Sequence, residues 1–179
     1  YVADTDNAVL RRVSPAGAVV TVAGCPGVAG FADGTGAVAR FSAPWAVSVG
    51  VSGEVYVADA GNRAVRRVSP GGQVTTVTNG LAWLRAPRGV AADARGGVAV
   101  SDSEAQVVGV APARGMARVL AGKASGHGAA DGAADAARFS RPCGVAAVGG
   151  GRLVVADNFS HTLREVAADG GVTTRVQAL

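Results

Sequence analysis

Hydrophobic positions along the chain fall in runs of four to six residues, rich in valine, separated by clusters of Gly, Pro, Ser and Asp. Runs of that length between such breakers predict short strands joined by tight turns. After Pro44 the predicted strands are 46–49, 55–58, 64–68 and 74–77, joined by GVSG, DAGN and SPGG turns, each with the Gly, Asn or Pro that a reversal needs. Only 37–41 and 133–139 hold enough alanine for a turn of helix, and both are too short to be stable without packing.

The same order of signals recurs. An apolar triplet closed by aspartate ends at Asp4, Asp59, Asp102 and Asp157, and a proline stands fifteen residues before each of the last three, at Pro44, Pro87 and Pro142. Asp59 and Asp102 are 43 residues apart, Asp102 and Asp157 are 55 apart, and the twelve extra residues lie in one connection. That connection reads FADGTGAVARFS at 31–42 and AADGAADAARFS at 129–140, matching Asp33 with Asp131 and Arg40 with Arg138. Four strands in about 40–45 residues are the mark of a β-propeller blade. Blades stacked face to face hide both sides of their inner strands, which explains why VYVA and LVVA are continuous apolar runs. The expected organisation is a single domain over 1–179, with blades near 1–24 (incomplete), 43–78, 86–122 and 141–177.

The stretches YVADTDNAVLRRVSPAGAVVTVAG and ADGTGAVARFSAPWAVSVGVSGEVYVADAGNRAVRRVSPGGQVTTV resemble NHL repeats, and the likeness extends over essentially the whole chain. The ADG-G-AARF connection is similar to that of plant, algal and bacterial NHL arrays. The third copy departs from the pattern, with VSDSEAQVVGV lacking both its Asn and its Arg. The resemblance implies an all-β propeller of four-stranded antiparallel blades that closes with six. About 3.75 blades are counted here, and Tyr1 falls inside a strand, so further blades are expected outside the sequence. An uncovered end blade would forgo burial worth on the order of 15 kcal/mol.

With 49% apolar and 4% aromatic residues, and no apolar run of spanning length, membrane insertion is not expected. Cys25 and Cys143 occupy non-equivalent places in different copies and are expected to be unpaired. In an up-and-down blade the loops after the VAD triplets share one rim with the inter-blade connections. Trp45, Arg63, Trp83, Arg88 and His161 are the candidate binding residues there. Asp4, Asp59, Asp102 and Asp157 are read as turn-forming residues that cap the following turn, helped by Asn7 and Asn62. Asp33 and Asp131 are read as turn formers, and Arg40 and Arg138 as ties to a neighbouring blade.

Arg11, Arg66 and Arg164, seven residues after their aspartates, would draw a basic arc around the outside, with net charge +4 behind it. Few aromatics are interleaved with them, so nucleic acid is the lesser expectation. No catalytic residue, metal ligand or cofactor is assigned. What the resemblance implies is a non-enzymatic scaffold that binds protein partners within a larger polypeptide or assembly. RNA binding through the basic arc is one alternative. The other is a propeller lyase or hydrolase whose metal ligands, His, Asp or Glu on inner strands around the axis, come from blades not in this sequence.

Overall fold

The computed structural model describes residues 1–177. Blade 1 holds β1 (Val2–Asp4), β2 (Val9–Val13) and β3 (Val19–Ala23). A two-residue strand, β4 (Gly34–Thr35), leads into blade 2, made of β5 (Pro44–Val49), β6 (Val55–Asp59), β7 (Ala64–Val68) and β8 (Gln73–Thr78). Blade 3 holds β9 (Pro87–Ala92), β10 (Val98–Asp102), β11 (Val107–Ala111) and β12 (Arg118–Ala121). Blade 4 holds β13 (Pro142–Gly149), β14 (Arg152–Asp157), β15 (Thr162–Val166) and β16 (Val172–Gln177). Every neighbouring pair of strands within a blade is antiparallel. This is a partial β-propeller. The predicted strands of blade 2 end within two residues of the observed ones. The alanine-rich stretches form single turns, a 3-10 turn at Gly36–Val38 and one in which the Ala136 and Ala137 amides both donate to the Ala133 carbonyl.

The connection ahead of blades 2 and 4 folds back on the blade it introduces. Gly34 pairs with Val74 of β8, and Gly132 makes the corresponding bridge to Val172 of β16. Both connections therefore run along the outer strand before the chain reaches the axis.

Hydrophobic burial lies between blades, because alternate side chains of each strand face opposite neighbours. Val55 and Val57 join Leu10, Ala39 and Phe41 in the layer between blades 1 and 2, while Tyr56 and Ala58 join Leu84, Val90 and Val100 between blades 2 and 3. A third layer, with Val108, Phe139, Leu153 and Val155, lies between blades 3 and 4. Hence all five residues of β6 and of β10 are buried. No helix among the described residues is long and apolar enough to cross a membrane.

β5, β9 and β13 lie side by side at the axis. Their approach is so close at Gly89 that a Cβ there would stand 2.1 Å from the Cys143 carbonyl oxygen, a contact only glycine avoids.

Candidate functional site

The VAD turns, the left-handed residues that end them, the prolines that open the inner strands and the long connections all lie on one rim. Two kinds of polar construction stand there, and they serve different ends.

The first is a buried clasp. Arg66 is wholly buried, and its guanidinium lies 2.9 Å from Asp59 Oδ2 and 2.7 Å from Asp33 Oδ1. It also donates to the carbonyls of Arg40 and Ala32, at 3.0 and 2.8 Å. Phe31 and Phe41 stack on it at 4.8 and 5.4 Å. Blade 4 repeats the clasp with Arg164, Asp157, Asp131 and Phe139. In each clasp the guanidinium Nε is buried without a hydrogen-bond partner.

Burial pushes the carboxyls of Asp59 and Asp157 above their ordinary value, against the hydrogen bonds they receive. Asp33 and Asp131 are half exposed. Desolvation raises them too, but bonds from the arginine and from Thr76 or Thr174 outweigh it and hold both below the usual carboxylate range.

These contacts correct three expectations. Arg66 and Arg164 form no exposed basic arc, because each is 0% exposed and spends its charge on two carboxylates. Arg11 alone keeps partial exposure, 26%, beside Asp4. Asp59 and Asp157 bond within their own turns only through side chains, accepting from Asn62 at 2.7 Å and from the Ser160 hydroxyl at 2.6 Å, and cap no backbone amide there. They accept the Ser42 and Ser140 amides, each at 2.7 Å, and so pin the residue two before the proline. Arg40 and Arg138 curl onto carbonyls of their own turns, at 37–39 and 135–137, and tie no neighbouring blade.

Blade 3 has no such clasp. Gly109 stands at the arginine's position, and the Trp83 ring occupies the space, 2.3 Å from where a Cβ on Gly109 would be. Trp83, expected at the binding rim, is thus half-buried packing against the layer between blades 2 and 3. Asp102 compensates by accepting four amides, from Arg85, Ala86, Glu104 and Ala105, at 2.6–3.1 Å. Here the aspartate does cap its own turn.

The second construction is a recess at the start of the inner strands, where a closed propeller has the mouth of its central channel. The residue after the opening proline is Trp45 in blade 2, Arg88 in blade 3 and Cys143 in blade 4, and all three line one recess of about 330 Å³. Arg88 stacks on the Trp45 indole at 3.9 Å, with the ring 46% exposed. Cys143 is a free, half-buried thiol that donates to the Arg141 carbonyl at 3.4 Å. Burial raises its pKa, while the nearby Arg88 and Arg141 pull the other way. Cys25 is likewise free. Arg63 and His161 sit at matching exposed positions just after the 3-10 turns, with φ of 51° and 55°, and neither reaches the recess. The rim residues predicted from sequence therefore separate into Trp45 and Arg88 at the axis, Arg63 and His161 outside it, and Trp83 in the packing. Cys143 was missed as a site residue, although its place directly after Pro142, matching Trp45 and Arg88, was readable.

Among the described residues no group of three His, Cys, Asp or Glu is placed to hold a metal ion. Trp45 and Arg88 cannot ligate, and a guanidinium repels a cation, so this part of the mouth does not fit the metal centre that the resemblance to propeller enzymes implies.

No family model and no curated protein matches the sequence. Solved structures do match. Virginiamycin B lyase from Staphylococcus aureus is 11% identical with a TM-score of 0.68, over 98% of this chain and 51% of that one. An auxiliary nutrient binding protein from Bacteroides ovatus is 16% identical with a TM-score of 0.68, over 92% of this chain and 46% of that one. A gluconolactonase from Xanthomonas campestris is 15% identical with a TM-score of 0.57, over 75% of this chain and 48% of that one. The chain spans about half the length of the structures it matches. Likeness at these identities shows the β-propeller fold and leaves the NHL assignment as a resemblance. The expectation of a non-enzymatic scaffold is overturned, since the fold's solved company includes lyases and a lactonase.

Proposed function

We propose that these blades, of NHL type, form part of the wall of a propeller enzyme of the lyase or lactone-hydrolase kind, and that the channel mouth at Trp45, Arg88 and Cys143 holds its substrate. The observation that carries this reading is the placing of an indole, a guanidinium and a thiol at one equivalent inner-strand position around a single recess. The stacked Trp45–Arg88 pair is a flat cationic platform. Its ring face suits an apolar substrate surface, and the guanidinium suits a carboxylate or an oxyanion developing during reaction. Cys143, with its pKa raised by burial, is a neutral thiol at neutral pH and serves here as a polar wall, not as a nucleophile. The chemistry assigned to these residues is substrate orientation and charge stabilisation, with no step drawn through a metal.

Turnover of gluconolactone and virginiamycin B, compared between the chain and its Arg88→Ala, Trp45→Ala and Cys143→Ser variants, tests the reading. Loss of one oxyanion-stabilising donor costs about 10²-fold in kcat, which is the effect expected for Arg88→Ala. Trp45→Ala should act mainly on KM, and Cys143→Ser should change little. If the chain alone does not turn over, calorimetric binding of the same two compounds reads the platform, with affinity lost in Arg88→Ala. Equal turnover or equal binding in that variant would overturn the assignment.

A further inference from the structure

A second recess opens on the opposite rim, where the turns of the β9–β10 and β13–β14 hairpins meet between blades 3 and 4. It holds about 380 Å³, within the size range of small-molecule sites. Buried Ala99, Leu120 and Leu153 form its apolar floor, and the exposed side chains of Arg95, Arg118 and Arg152 stand around its mouth.

The neighbouring interface shows what such a space holds. Tyr56, three residues before Asp59, fills the matching place between blades 2 and 3, where it is 4% exposed and packs in one layer with Ala92 and Val98. Its hydroxyl donates to the Gly96 carbonyl at 3.2 Å. Ala99 is the corresponding residue of blade 3, three before Asp102. Across the sheet, the row Tyr56, Arg67 and Thr75 of blade 2 becomes Ala99, Val110 and Arg118 in blade 3. The receiving wall is nonetheless kept. Ala147, Gly151 and Leu153 stand in blade 4 where Ala92, Gly96 and Val98 stand in blade 3, and all three line the recess. The second interface therefore has the socket for a phenol ring without the ring, and apolar spaces of that kind take up aromatic molecules.

The mouth is cationic. Asp93, the carboxylate in its lining, accepts the Arg95 and Gly97 amides of its own turn at 2.6 and 3.0 Å. Arg152 lies 3.5 Å from Glu165. Among the described residues Arg95 and Arg118 form no ion pair. Two uncommitted guanidiniums over an apolar slot suit an aromatic ring that carries a carboxylate, since a guanidinium matches a carboxylate in charge and in fork geometry.

We propose that this recess binds a single-ring aromatic carboxylate, at a site separate from the Trp45–Arg88 recess on the other rim. The ring enters the socket between Ala99 and Leu153, and the carboxylate stays at the mouth with Arg95 and Arg118.

Calorimetric titration of benzoate into the 179-residue protein is the test, with benzamide as the uncharged counterpart. Saturable one-to-one binding of benzoate is expected, at least tenfold tighter than that of benzamide. Ala99→Tyr, which supplies the side chain found in blade 2, should abolish it, and Arg95→Gln with Arg118→Gln should weaken it at least tenfold. Both arginines are exposed, so their replacement reads the site even if Ala99→Tyr does not fold. Absence of binding at millimolar benzoate would overturn the proposal, as would equal affinity for benzamide. Binding that survives Ala99→Tyr would overturn it too, and its loss in Arg88→Ala would then place the ligand at the channel mouth.

Discussion

Blades 2 and 3 hold the same strand aspartate in two ways. In blade 2, Asp59 faces a buried guanidinium that a second carboxylate, on a connection 26 residues before it, helps to neutralise. In blade 3 the corresponding connection is twelve residues shorter and brings no carboxylate, so an arginine there would have Asp102 as its counter-charge but would bury its second terminal nitrogen without the acceptors that Asp33 and Ala32 supply in blade 2. The chain instead carries Gly109 and fills the space with Trp83, while Asp102 turns to four backbone amides. The requirement common to both is a satisfied aspartate at the foot of the inner strand. The ion pair is one way of meeting it, and apolar packing with amide donors is another.

Removing the guanidinium is the strongest way to break this comparison. Arg66→Ala would leave Asp59 buried and short of its partner, at a cost of about 3–5 kcal/mol, and Arg164→Ala should do the same in blade 4. Denaturant unfolding of each variant checks this. A loss under about 1 kcal/mol would mean that the clasp contributes no more than a surface pair.

In blade 3 the matching variant is Trp83→Ala, at about 2–3 kcal/mol, less than a fully buried tryptophan because the residue keeps partial exposure. The sharper test adds Gly109→Arg to it. With no Asp33 equivalent nearby, the double variant should be no more stable than Trp83→Ala alone. Recovery of stability would show that the arginine needs only the strand aspartate, and that the loop carboxylate is incidental.

Acid separates the blades next. Asp33 and Asp131 have folded pKa values below the unfolded one, so their contribution is complete above the unfolded value of about 3.9 and is lost as pH falls through the lower folded value. Asp33→Asn with Asp131→Asn should flatten the stability profile in that window. The effect is moderate and should shrink in high salt, since both carboxylates are about half exposed.

Strands and turns were legible in the sequence because their signals are local: valine runs of strand length, and Gly, Asn or Pro at the reversals. The clasps were not, because Asp33 lies 33 residues before Arg66 and arginine on a strand ordinarily faces water. One signal did join them. The third copy lacks the ADG connection, the Asn and the Arg together, as expected if the loop and the arginine serve one contact. Trp83 was placed on the rim by its loop position. Its partner, Gly109, carries no side chain to announce the packing. At the channel mouth Trp45 and Arg88 were readable from their place after the proline, and the same rule would have added Cys143.

The smallest effect lies at the turn after each VAD triplet, where one non-glycine residue per blade is left-handed: Ala8, Arg63, Gln106 and His161, with φ between 51° and 64°. Left-handed backbone costs a side-chain-bearing residue about 1–2 kcal/mol, which glycine would avoid. Glycine in turn loses about 0.5–1 kcal/mol more chain entropy on folding. At exposed Arg63 or His161 the two nearly cancel, so replacement by Gly should shift stability by under about 1 kcal/mol, toward greater stability. Gln106 has the same backbone but a different role, since it is buried, donates to the Ser103 carbonyl at 3.0 Å and accepts the Arg141 amide at 2.6 Å. Gln106→Gly would leave the Arg141 amide without its acceptor, a loss of about 1–3 kcal/mol that exceeds the relief of strain. Thermal unfolding of Arg63→Gly beside Gln106→Gly therefore compares one backbone geometry in two blades. Equal shifts would show that strain alone governs the position, and opposite shifts that blade 3 has turned its left-handed residue into a tether for blade 4.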